Sequence, residues 1–349
     1  MDVFVSTFGC TFNKRDSENI CGVLLERGFK VVDSVGDAGI VVVNSCGVKS
    51  VTQDKVVSFI NSLPGDKRVV VGGCLPRMLN IRKLCPRVEA VFDTNTILSL
   101  PEILGAPADI MSDTKEHRLD VPIKRKNKDV AIIPISQGCL GKCAYCSVKF
   151  ARGSLKSYSK DEIVREVRKA VASGCNRINL TAQDAGCWGM DIGDKLPNLL
   201  RSVLAVEGDF IVRLGMANPN FIGMHLKELA EIFKSGKMLR FLHVPVQSGS
   251  DKVLKEMHRD YSVDDFRVIV KEFRKAVPDI YISTDIIVGY PSETEVDLQD
   301  TADLLRELKL GVVNISRFGP RPGTVASKMV QLSREEIKRR SMILHELVK

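Results

Sequence analysis

Eight residues constrain this chain more than any others. Cys139-Leu-Gly-Lys-Cys143-Ala-Tyr-Cys146 sets three thiols into one short loop. The loop follows an apolar stretch, residues 130–137, that reads as a buried strand, and Gly138 and Gly141 make its backbone pliable. Three thiolates so close together can wrap one small inorganic centre. A tetrahedral zinc site would want a fourth ligand at the familiar CxxC…CxxC spacing, and none follows. A [4Fe–4S] cluster is held by cysteine thiolates, normally four. With three, one iron keeps a coordination position open to a substrate or cofactor. The plain alternative is a chance group of buried cysteines.

The surroundings of the loop read as a βα series. Strands are expected at residues 130–137, 177–182, 210–216, 241–247, 281–288 and 311–318. Helices are expected between them at 160–173, 196–205, 225–234, 263–276 and 293–308, and a basic helix at 333–349. Six such units are two short of a full TIM barrel, leaving a doubly wound sheet or an incomplete barrel. A smaller α/β unit precedes them. Its Val-rich strands at 2–9, 39–45, 68–73 and 89–93 lack polar alternation, as parallel strands covered on both faces do. Helices at 14–27, 49–62 and 78–85 alternate with these strands and stop at Gly28, Pro64-Gly65 and Pro86. The expected organisation is an open α/β sheet at 1–105, a linker at 106–129 and a second domain at 130–349. The linker carries the basic run Lys124-Arg125-Lys126-Asn127-Lys128, either a solvated connector or a phosphate-contacting strap.

Three more cysteines stand out by position. Cys10, Cys46 and Cys74 each directly follow a predicted strand of the first unit. In a parallel sheet those strand ends share one edge, so cysteines 36 and 28 residues apart converge. Gly9 and Gly73 beside them let backbone approach a bulky centre. Two readings stand: buried packing cysteines, or a second three-thiolate cluster. Cys21, Cys85, Cys175 and Cys187 share no spacing and read as packing. His117, His225, His243, His258 and His345 form no HxxxH-type pair, so none is assigned to a metal. Trp188, the one tryptophan, sits in a Gly-rich loop, either buried or stacked on a base.

Composition narrows the setting. A chain of 349 residues needs no disulfides, so ten cysteines point to metal or redox chemistry in a reducing compartment. The N-terminus lacks a signal-peptide layout. No run of about 18 apolar residues exists, so no membrane association is expected and a cytoplasmic address follows. The net charge of +8 favours an anionic partner, although 6% aromatic residues leave no obvious stacking platform for single-stranded bases.

The CxxxCxxC loop with Tyr145 before its last cysteine resembles the radical S-adenosylmethionine (SAM) superfamily. A small α/β domain with one cysteine after each of three strands, ahead of such a core, resembles the methylthiotransferase family. Phe8-Gly9-Cys10-Thr11-Phe12-Asn13 and Gly72-Gly73-Cys74 are similar to its opening and third cysteine motifs. The segments 243–250 (HVPVQSGS) and 320–324 (PRPGT) match further family blocks. Gly138-Cys139-Leu140, Ala151-Arg152-Gly153, Leu180-Thr181 with Asp191-Ile192-Gly193, and Arg213-Leu214-Gly215-Met216 are closest to the archaeal and eukaryotic type. That type modifies N6-threonylcarbamoyladenosine in tRNA. The resemblance covers nearly the whole chain. It implies a flavodoxin-like open parallel sheet followed by a partial (βα)6 barrel of TIM type.

It also implies the chemistry. Cys139, Cys143 and Cys146 would bind a [4Fe–4S] cluster whose open iron chelates SAM and whose electron cleaves it to a 5′-deoxyadenosyl radical. Cys10, Cys46 and Cys74 would bind an auxiliary [4Fe–4S] cluster that carries the sulfur. The product would be a methylthio group on C2 of the adenine, 3′ of the anticodon. The partners implied are tRNA and an external electron donor. Other family targets are isopentenyladenosine in tRNA and an aspartate of a ribosomal protein, and a non-catalytic RNA-binding iron–sulfur protein is the remaining alternative. For SAM itself, Tyr145 could pack on adenine, Gln183, Arg213 and Gln247 lie at predicted strand ends, Arg213 could pair with the carboxylate, and Gly289 could open backbone to adenine. Each has a purely structural alternative. Two departures are visible. Ser292 replaces a family glycine in Gly289-Tyr290-Pro291-Ser292-Glu293-Thr294, where it could cap the next helix. The RNA-gripping β-barrel of the family, the TRAM domain, would begin where the chain stops, at Lys349, and is expected to be absent from it.

Overall fold

The computed structural model describes residues 1–348. Its N-terminal sheet has five parallel strands: β1 (Asp2–Thr7), β2 (Lys30–Val32), β3 (Ile40–Ser45), β4 (Arg68–Gly73) and β5 (Ala90–Val91). Their order, β2-β1-β3-β4-β5, is flavodoxin-like and places a ligand crevice where β1 and β3 meet. The Val-rich sequences account for the two-sided burial. Val42 and Val70 pack with Ile20 and Leu24 on one face, while Val41, Val43, Val69 and Val71 pack with Val56 and Ile60 on the other. The three-residue β2 escapes pattern reading because it is too short to show a period.

The second half continues with β6 (Val130–Pro134), β7 (Ser136–Gln137), β8 (Lys156–Ser157), β9 (Arg177–Thr181), β10 (Ile211–Leu214), β11 (Phe241–His243), β12 (Tyr281–Val288) and β13 (Val312–Arg317). Strands β6, β9 and β10 form one parallel sheet, and β11, β12 and β13 form another. The sheets adjoin: Leu239 N–H donates to the Val212 carbonyl (2.8 Å) and Ala217 N–H to the His243 carbonyl (3.0 Å). Six parallel strands therefore follow one another in chain order, the arrangement of an incomplete barrel. The expected strand 130–137 is broken. After Pro134, which has no N–H, Ser136 and Gln137 leave the parallel sheet and pair antiparallel with Ser157 and Lys156.

Capping boxes at Ser159, Ser262 and Thr294 start three of the outer helices. Ser292 is not a cap: the helix begins at Glu295, and the Thr294 hydroxyl accepts from Asp297 N–H. Trp188 is fully buried, its indole N–H donating to the Tyr158 carbonyl at 3.0 Å, so it stacks on no base. Among the described residues, no helix is long and apolar enough to cross a membrane.

A buried polar seam joins the two halves. Asp16, on the helix Thr11–Glu26, accepts from Arg118 of the connecting segment (3.3 Å) and from Arg152 of the second half (2.6 Å). Arg15 reaches the Ile132 carbonyl and Glu166. In the connecting segment, Arg125 donates to Ser173, while Lys124, Lys126 and Lys128 are exposed.

Candidate iron–sulfur and SAM site

The Cys139 loop leaves the end of β7 through Gly138, whose φ is +85°. A Cβ there would lie 2.0 Å from the Ser154 carbonyl oxygen, so only glycine permits this close turn. Gln183, at the end of β9, accepts the Gly138 N–H at 2.5 Å and pins the start of the loop. Two of the three sulfurs flank Gly141. A Cβ at that residue would sit 3.3 Å from Cys139 Sγ and 3.5 Å from Cys143 Sγ, and its N–H donates to Cys139 Sγ at 3.2 Å. Burial pushes the Cys146 thiol up to about 12, and nearby Cys143 and Cys139 add to the rise. A metal arriving here must displace the proton of the Cys146 thiol.

Three neighbours of this loop escape sequence reading. Buried Arg259 donates to Cys143 Sγ at 3.2 Å and is braced by the Tyr261 hydroxyl (2.8 Å) and the Pro245 carbonyl (3.0 Å). Cys187, expected only to pack, also lies beside Cys139: the ligand atoms of Cys139, Cys187 and Asp184 fall within 4.8 Å of one another. The neighbouring Cys187, whose S–H donates to the Asp184 carbonyl at 3.3 Å, holds the Cys139 thiol below its usual range, against the effect of burial. Burial raises Asp184 to about 6 although the Asn218 and Gly186 N–H groups donate to it. The order Asp184-Ala-Gly-Cys187 offers no spacing signal, because Cys139 lies 45 residues or more away in sequence.

The remaining sequence candidates spread around the barrel mouth. Tyr145 packs against Val253, Met257, Tyr290 and Phe318. Gln247 has φ of +71°, its N–H donating to the Asp285 carbonyl and its own carbonyl accepting from Ile287. Arg213 is one residue short of the end of β10. Its guanidinium lies 4.9 Å from the Phe241 ring centroid, and it forms no ion pair among the described residues. Burial holds Arg213 below the ordinary arginine range. Gly289 is approached by Ile337 of the C-terminal helix, 2.7 Å from where a Cβ would be, and its N–H donates to Glu293. Across the strands, His243 and Asn314 both bond Asp285 (3.0 and 2.9 Å), a polar line absent from the sequence reading.

Cys10, Cys46 and Cys74 meet at the C-terminal edge of the first sheet. Asn13 organises them. Its amide N–H groups donate to the Phe8 and Ser45 carbonyls (2.9 and 3.0 Å), and the Cys10 and Cys74 thiols donate to its Oδ1 at 3.8 and 3.9 Å. Gly9, with φ of +106°, brings the chain so close that a Cβ would lie 2.6 Å from Cys46 Cβ and 3.0 Å from its sulfur. Burial raises Cys46 and pushes Cys74 to about 12. Into this group reach two arginines of the second half. Arg152 donates to Asn13 Oδ1 at 2.9 Å and lies 4.6 Å from the Phe12 ring centroid. Arg321 donates to Gln53 at 2.9 Å. Among the described residues, Arg152 Nη1 and Arg321 Nε and Nη2 are buried without partners. Convergent thiols, a glycine cradle and orphaned guanidinium N–H groups fit a bulky anionic inorganic centre.

The two thiol groups are linked through the chain: Arg152, six residues after Cys146, ends the helix Val148–Arg152 and donates to Asn13, the residue that holds Cys10 and Cys74.

Comparison with known proteins agrees with this architecture. Residues 133–305 match the Radical SAM superfamily, and residues 2–93 match "Uncharacterized protein family UPF0004". The chain is 41% identical to a probable threonylcarbamoyladenosine tRNA methylthiotransferase of Methanothermobacter thermautotrophicus, over 99% of this chain and 83% of that protein. It is 39% identical to the Pyrococcus horikoshii counterpart, with the same coverage. It is 39% identical to the human threonylcarbamoyladenosine tRNA methylthiotransferase, over 97% of this chain and 61% of that one. Among solved structures, the radical SAM methyltransferase TsrM from Kitasatospora setae shares the fold, with a TM-score of 0.68, 16% identity and coverage of 93% and 75% of the two chains. A barrel core, an N-terminal sheet and full-length identity of this size place the chain in the radical SAM family of threonylcarbamoyladenosine tRNA methylthiotransferases.

Proposed function

We propose that this protein transfers a methylthio group to C2 of N6-threonylcarbamoyladenosine, 3′ of the anticodon in tRNA. Cys139, Cys143 and Cys146 would hold the SAM-cleaving [4Fe–4S] cluster, and Cys10, Cys46 and Cys74 a second one. The observation that carries this reading is the presence of two separate three-thiol groups in one chain, linked through Arg152. When bound, the two clusters and SAM supply one-electron cleavage chemistry and the sulfur to be inserted, which no side-chain base could provide at an unactivated aromatic C–H.

The chain's own residues bind and orient. Gln183 holds Gly138 and sets the pitch of the cluster loop. Arg259 brings positive charge to Cys143 Sγ, offsetting the negative charge of a thiolate. Tyr145, Tyr290 and Phe318 form an apolar wall behind the loop and keep water from it. His243, Asp285 and Asn314 present hydrogen-bonding groups across β11, β12 and β13. The partners are tRNA, favoured by the net charge of +8, and a low-potential electron donor. The working compartment is the cytoplasm.

Mass spectrometry of tRNA nucleosides from cells with and without the protein tests this reading. The methylthio mark on threonylcarbamoyladenosine should vanish on deletion and return with the wild-type chain but not with Cys139→Ala. A mark that survives deletion refutes the substrate.

A further inference from the structure

We propose that Arg152 and Arg321 are positioning residues that hold a sulfur anion, hydrosulfide or methanethiolate, against the Cys10–Cys46–Cys74 centre. The inference rests on the assignment of an iron–sulfur cluster to those cysteines. Both arginines are supplied by the second half of the chain, Arg152 from the helix behind Cys146 and Arg321 from the 320–324 loop behind β13. Their side chains are 2% and 5% exposed. Buried guanidinium groups almost always satisfy their N–H donors, because a charged group left unpaired away from water is costly. Here three donor atoms have no partner among the described residues: Arg152 Nη1, Arg321 Nε and Arg321 Nη2.

The charges are also under-compensated. Asp16 is shared by Arg152 and Arg118, the latter also paired with Glu116. Arg321 bonds a neutral amide, Gln53, and forms no ion pair among the described residues. Arg152 bonds Asn13, which holds Cys10 and Cys74, and both arginines act on Cys46, so two cations adjoin the thiol group. A [4Fe–4S]²⁺ core with three thiolates carries about −1, and a sulfur anion on its fourth iron brings this to about −2. Two guanidinium groups with three free donors match that charge and those acceptors. Because both come from the other half, the sulfur-binding place is complete only when the two halves are docked.

The test uses the full chain with Cys139→Ala, Cys143→Ala and Cys146→Ala, so that the second centre alone is loaded. This parent should hold about four irons. A parent that binds none refutes the cluster assignment itself, a failure separate from the present inference. The loaded protein is titrated with sodium hydrosulfide and followed by electron paramagnetic resonance of the reduced cluster. Arg321→Gln should weaken hydrosulfide binding by about tenfold or more, as expected for loss of a charge-assisted hydrogen bond. Arg321→Lys, which keeps the charge but not the fork, should fall between. Arg82→Gln, which breaks an exposed pair with Asp109, should match the parent. Parent affinity in Arg321→Gln overturns the proposal. If Arg321→Gln loses its iron, loading restored by Arg321→Lys supports the charge role, and equal loss in both overturns it.

Discussion

The Cys139 loop and the Cys10–Cys46–Cys74 edge present the same number of thiols by opposite means. The loop needs eight consecutive residues, one glycine under its sulfurs and one arginine from outside. The edge needs three strand ends, a helix that supplies Asn13, and two arginines from the other half of the protein. The first geometry is nearly local. The second exists only after the sheet has formed and the halves have docked, so its integrity is tied to the stability of the seam. In burial, the loop cysteines are all half-buried, while the edge combines exposed Cys10 with buried Cys46 and Cys74 beside buried arginines.

The largest effects separate the two sites outright. Cys139→Ala should abolish 5′-deoxyadenosine formation while retaining about half of the roughly eight irons of the reconstituted chain. Cys46→Ala should also retain about half, but should still cleave SAM and insert no sulfur. Iron analysis and product chromatography read both, and deoxyadenosine from Cys139→Ala would exchange the roles assigned to the sites.

Next, Asp16→Ala should cost about 3–5 kcal/mol, because it strands the buried charge of Arg152 and leaves Arg118 to Glu116 alone. Denaturant melts give the stability, and partial iron loading should show the dispersed site failing before the loop. Loss of both sites in step would mean the loop depends on the seam as well.

Gly9→Ala and Gly141→Ala compare the sites at the level of one methyl group. At Gly9 the backbone has φ of +106° and the Cβ meets Cys46 at 2.6 Å, so about 1–3 kcal/mol and the cluster of that edge should be lost. At Gly141 the nearest sulfur is 3.3 Å away and no positive φ is present, so the penalty should be smaller. Equal penalties would erase the distinction between a packed edge and an open loop.

The smallest effect is a pH slope. Lys115 donates to the Gln137 and Ser154 carbonyls beside the loop, and burial lowers its pKa from 10.5 to about 8. The folded state therefore binds fewer protons than the unfolded one between those values. Stability of the metal-free chain should rise as pH climbs from about 8 to 10.5, and Lys115→Met should flatten that rise. A slope that persists in the variant assigns it elsewhere.

Legibility followed locality. The loop cysteines share one line of sequence, and the strand-end cysteines become readable once Val-rich strands are taken as parallel. Helices with capping boxes, such as Lys160–Ala172 and Val263–Ala276, begin where the sequence places them. The 130–137 strand broke because antiparallel pairing with β8 is a contact made 20 residues later in the chain. Arg259 and Cys187 carried no signal, since a lone arginine or cysteine looks the same whether it touches solvent, core or a ligand. Arg152 and Arg321 were visible as family markers, but not as neighbours of Cys10, Cys46 and Cys74.

By itself, the sequence determined the parallel α/β architecture, the two groups of three cysteines and their likeness to a tRNA-modifying family. These depend on hydrophobic period, strand–helix alternation and spacing, all properties of neighbouring residues. Only the tertiary structure decided which charges lie beside each thiol group, that Cys187 lies against Cys139, and that Arg152 of the second half bonds Asn13 beside the first half's thiols. Those depend on which surfaces desolvate one another, and a buried charge finds its partners in space, wherever they stand in the chain.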